Sequence, residues 1–117
     1  MKPLVMMMSA SLAALALSAG AWAGDAPALD PARIAAAKTP AEHEAVAKAY
    51  DAEAQGLEKK AAMHKNLAET YGAPGGKPFQ AAQAKHCDSV AASLAAAAAE
   101  DRALAKGHRD MAKEAGH

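Results

Sequence analysis

The chain has 117 residues, with thirteen basic and thirteen acidic side chains, five histidines, one cysteine and a single tryptophan. Its formal charge of zero leaves no electrostatic footprint for nucleic acid or an anionic membrane surface. Alanine, the strongest helix former, dominates the composition, and no segment alternates β-branched with polar residues, so the expected fold class is all-α.

The first element is a leader. Lys2 supplies a positive start, residues 4–17 supply an apolar run, and Ala21-Trp22-Ala23 supplies a small-x-small cleavage signature. Residues 1–23 therefore read as a signal peptide, with Gly24 as the mature start. The apolar run is short for a membrane span, and no cysteine follows the cleavage point to carry a lipid. A periplasmic or secreted protein is expected, without membrane insertion after cleavage. Loss of Lys2 leaves twelve basic against thirteen acidic residues, and loss of Trp22 leaves Tyr50, Tyr71 and Phe79 as the mature aromatics. So few large side chains make a thin core against a backbone entropy of about 1–2 kcal/mol per residue, and self-association or a bound ligand is expected to supplement it.

Residues 24–38 read as a flexible N-terminal segment in which Asp30-Pro31 opens a short helix over 31–38. The rest, 39–117, reads as one antiparallel helical hairpin. Thr39-Pro40-Ala41-Glu42 is a capping box with proline at the first helical position, so a long helix begins at 40 and runs to about 71. Gly72 is expected to close it in the left-handed conformation. Residues 72–77 form the turn, being rich in glycine and proline, and a second helix runs from about 78 to 115.

Large residues at helical spacing mark the expected contact faces. These are His43, Val46, Tyr50, Leu57, His64, Leu67 and Tyr71 in the first helix, and Phe79, His86, Val90, Leu94, Leu104, His108 and Met111 in the second. Folding about residue 75 pairs Tyr71 with Phe79, Leu57 with Leu94, and Val46 with Leu104. Two helices leave much surface uncovered, so a homodimer completing a four-helix bundle is expected.

The histidines share this symmetry. His43, His64, His86 and His108 recur at intervals of 21 or 22 residues, about six helical turns, within echoing local sequences that suggest an internally duplicated unit. The same fold point sets His64 opposite His86 and His43 opposite His108. His43 and His64 lie about 31 Å apart along one helix, so any metal would occupy two separate levels. Facing neutral imidazoles suit a transition metal such as copper, or a haem iron held without covalent attachment, since no Cys-x-x-Cys-His is present. Met63 and Cys87 lie near the His64/His86 level. The same histidines can equally be packed residues that set the register of a structural or partner-binding bundle, or an acid-sensitive element.

Cys87, alone in an exported chain, reads as an intermolecular disulfide partner or a free thiol, or else as a half-buried small residue. Glu58, Arg102, Arg109 and Asp110 read as solvated charges paired with neighbours on their own helices. No phosphate loop, nucleophile elbow or His-Glu-x-x-His helix is present, and no catalysis is expected. The function expected is that of an exported binding or interaction protein.

Overall fold

The structure is a computed structural model, and it describes residues 28–117. The expected signal peptide and residues 24–27 of the segment after it lie outside this range. Three helices follow one another, α1 (Pro31–Ala36), α2 (Pro40–Tyr71) and α3 (Pro78–Ala115), with no strand among the described residues. The long pair forms the all-α antiparallel hairpin.

Local chemistry fixes the ends. The Asp30 carboxylate accepts from the Ala32 N–H at the start of α1. At α2 the capping box is complete: the Thr39 hydroxyl accepts from the Glu42 N–H, and the Glu42 carboxylate accepts from the Thr39 and Lys38 N–H groups. Those bonds hold the Glu42 carboxyl below its usual range. At α3, Gln80 reaches back to accept from the Lys77 N–H at 2.8 Å, and Pro78 occupies the first turn. Gly72 departs from the left-handed closure expected of it. Its φ is −85°, its N–H returns to the Ala68 carbonyl, and the positive φ of the turn belongs to Gly75, at 86°.

The helix pair packs on a heptad repeat in which alanine takes every first core position. In α2 the series Ala47, Ala54, Ala61, Ala68 alternates with His43, Tyr50, Leu57, His64, Tyr71. In α3, Ala84, Ala91, Ala98, Ala105, Ala112 alternates with Gln80, Cys87, Leu94, Asp101, His108. The most deeply buried residues follow the alanine series: Ala47, Ala54 and Ala105 have no exposed surface, and Ala98 has 1%. A methyl group at each of these positions lets the two backbones approach closely, and no large side chain among the described residues is fully buried. Stepping by sevens from the His43–His108 contact sets Tyr50 level with Asp101, Leu57 with Leu94, His64 with Cys87, and Tyr71 with Gln80.

This seam differs from the apolar stripe expected in α3. Phe79, Val90, Leu104 and Met111 are all exposed, so the pairings of Tyr71 with Phe79 and Val46 with Leu104 are not buried contacts of the seam. The stripe is real but is rotated to one flank. Val90, Leu104 and Met111 immediately precede the alanines at 91, 105 and 112, and Leu67 stands in the same relation to Ala68. In an antiparallel pair, positions equivalent in this way lie side by side. The opposite flank carries Glu44, Asp51 and Glu58 against Arg102 and Arg109. The hairpin thus has one apolar flank and one charged flank. The α1 segment covers the open end of the apolar flank, where Leu29 and Ile34 gather around Val46 and Ala49.

Candidate functional site

Two histidines meet at the open end. His43 lies in the first turn of α2 and His108 in the last two turns of α3, and their Nδ1 atoms are 3.1 Å apart. Both are core positions of the heptad, and only 8% and 7% of their surfaces remain exposed. At that distance one Nδ1–H donates to the other Nδ1, so at least one ring is an acceptor. Burial pushes the His108 imidazolium below its usual range, and the neighbouring His43 adds to the effect. The Tyr50 ring stacks on His108 with centroids 5.9 Å apart, which leaves His108 between Tyr50 and His43 at 5.4 Å.

Charged groups frame this layer. Arg109, next to His108 in sequence, donates to Asp51 at 2.6 Å and lies 4.0 Å from Glu44. One heptad inward, Arg102 bridges both carboxylate oxygens of Glu58 at 2.8 and 2.9 Å and approaches Asp51 at 3.6 Å. These pairs cross between helices, unlike the neighbour pairing expected for Glu58, Arg102 and Arg109; Lys106 with Asp110 is of the expected kind. The sequence signal was available in the opposite charges at mirrored heptad positions, 44 and 51 against 109 and 102. On the other side of the seam, Glu53 faces Asp101, a second pair that the expected stripes did not contain. Burial raises the Glu53 carboxyl above its usual range, and the adjacent Asp101 raises it further.

The turn-proximal level is arranged differently. His64 is half-buried on the seam and its Nδ1 is shielded without a hydrogen-bond partner. His86 is exposed and lies one residue away from the seam position, which Cys87 fills in a half-buried setting. The structure therefore brings His43 and His108 together and does not set His64 against His86. The cause is the period: seven-residue steps carry His108 to Cys87 in 21 residues, and the interval of 22 to His86 overshoots by about a third of a turn.

Among the described residues, no three His, Cys, Asp or Glu side chains converge as a metal group, and no helix is long and apolar enough to cross a membrane. Seven large apolar side chains stay exposed: Met63, Leu67, Tyr71, Phe79, Val90, Leu104 and Met111. By heptad position all seven lie on or beside the apolar flank. Comparison with family models, with curated proteins and with solved structures finds no match for this chain.

Proposed function

We propose that this is an exported, non-catalytic interaction protein whose hairpin associates with a second copy of itself through the apolar flank. The observation that carries the reading is the segregation of surface: ion pairs on one flank, exposed large hydrophobics on the other. Seven large apolar side chains left 37–63% exposed along one flank are the kind of surface that marks an interaction site on a soluble protein. The flank is already a docking surface within the chain, since α1 covers its open end at Val46. Charge also suits a second copy. Glu53 and Lys60 stand two turns apart on the same flank of α2, and a two-fold axis between them pairs each Glu53 with the other copy's Lys60. Such a dimer is a four-helix bundle whose outer faces are the charged flanks.

Export rests on the leader read in residues 1–23, and it places the association outside the cytoplasm. Protein recovered from the periplasm or medium of a producing bacterium should begin at Gly24 and should sediment at twice its chain mass. Leu104→Glu with Met111→Glu should give a helical monomer. A wild-type monomer at hundred-micromolar concentration, or an unprocessed cytoplasmic chain, overturns the corresponding half of the reading.

A further inference from the structure

We propose that His43 and His108 form a transition-metal site, with Cu2+ the ion held most tightly, bound through the two Nδ1 atoms. At metal–nitrogen distances of about 2.0–2.1 Å, an Nδ1 separation of 3.1 Å corresponds to a ligand–metal–ligand angle of about 100°. That value lies between the right angle of a tetragonal site and the tetrahedral angle, so the rings are already spaced as neighbouring ligands of one ion. The two backbones that carry the ligands are held in place. One ligand comes from each helix, each backbone is fixed by the alanine seam, and His108 is wedged between His43 and Tyr50. The burial that keeps His108 neutral also keeps it in the form that binds metal. When the ion enters, the proton shared between the two Nδ1 atoms moves off them, to Nε2 or to solvent, and both Nδ1 lone pairs turn to the metal.

Two imidazoles leave the remaining positions to water or a small anion, since no third His, Cys, Asp or Glu among the described residues converges there. Affinity for such an incomplete set follows the general order of divalent metals, in which Cu2+ stands highest. One ion per chain is the expected stoichiometry. His64 sits about 31 Å along α2 from His43 and cannot share the ion, and the exposed His86 does not oppose it across the seam. The site lies within one hairpin and does not depend on the proposed dimer.

The test is a Cu2+ titration of the processed protein at pH 7.4, read by calorimetry and electron paramagnetic resonance. One equivalent per chain, with hyperfine splitting from two imidazole nitrogens, is expected. His43→Asn and His108→Asn should each weaken that binding at least tenfold, whereas His64→Asn, His86→Asn and His117→Asn should leave it intact. Circular dichroism checks that each variant keeps its helices. If one of the two variants unfolds, the other decides, because each removes half of the chelate. The same titration on the Leu104→Glu, Met111→Glu monomer should give unchanged stoichiometry, so failure of self-association and failure of the metal site are read separately. Binding that survives both His43→Asn and His108→Asn, or that follows His86 or His117, overturns the assignment, as does the absence of any Cu2+ binding to the wild-type chain.

Discussion

The two halves of the hairpin are fastened in different ways. Among the described residues, the hydrogen bonds and ion pairs that cross between α2 and α3 join residues 43–58 to residues 101–109, from the middle of the hairpin to its open end. The fully sealed alanines are there too. In the turn half, only Ala68 and Ala91 of the seam alanines are buried, while Met63, Leu67, Tyr71 and Phe79 are exposed. Chain connectivity explains the difference. Near the turn a six-residue connection already holds the helices together at small entropic cost, so side chains there need contribute little. The far ends are separated by the whole length of both helices, and without specific contacts they would fray. Exposed apolar groups are found in both halves, since Leu104 and Met111 lie toward the open end, but five of the seven, with Val90, lie toward the turn.

Overfilling the seam separates the halves most sharply. Ala105→Leu adds three carbons where the surface is fully sealed, and it should cost about 3 kcal/mol, the upper end for overpacked cores. Ala91→Leu, in the looser half, should cost about 1 kcal/mol. Urea melts of the two variants followed by far-ultraviolet circular dichroism measure the contrast, and equal losses would mean that the halves are packed alike. The histidine layers should differ in sign. His108→Leu leaves the His43 Nδ1 buried without its partner and should cost about 1–3 kcal/mol. His64→Leu replaces a ring whose shielded Nδ1 has no partner, so stability should hold or rise. A loss at His64 as large as that at His108 would erase the distinction between the two layers.

These contrasts also mark how far the sequence could be read. Helix ends were legible because their signals are short-range: Thr39 and Glu42 close a box within four residues, and Pro40 and Pro78 can occupy only the first turn. The His43–His108 contact was legible because both residues stand on the seam and mirror each other about the turn. The face of α3 was not, because size was a misleading guide. A search for large apolar residues finds Phe79, Val90, Leu104 and Met111, whereas the contact is made by alanines that are too common in this chain to stand out. The strict recurrence of alanine every seven residues, at 84, 91, 98, 105 and 112, is the pattern that identifies the seam. It also moves His86 off the core and Cys87 onto it, since a seven-residue period requires 21 residues from His108. A single rotation of α3 thus accounts for the displaced stripe, the separation of His64 from His86, and the apolar flank.

Acid should test the zipped half at its outermost layer, with a smaller effect than the seam substitutions. The folded-state pKa of His108 lies below its unfolded value of 6.5, first because the ring is buried and second because His43 adjoins it. A lowered pKa means that the unfolded chain binds the proton more readily. The stability from this layer is therefore complete above about pH 6.5 and is lost as the pH falls through the lower, folded value. In metal-free protein, thermal melts taken from pH 7.5 to 5 should show a falling midpoint. The fall should be absent in a His43→Leu, His108→Leu variant, in which both partners are replaced together and no lone nitrogen remains. Glu58 keeps its charge through this range, because hydrogen bonding to Arg102 holds its carboxyl below the usual value, so that pair should contribute no slope between pH 7.5 and 5. Amide exchange at pH 5.5 should then rise first at the ends of α2 and α3 around residues 43 and 108, ahead of the segment around Ala54 and Ala98. A uniform rise along both helices would show that the histidine layer does not govern the acid response.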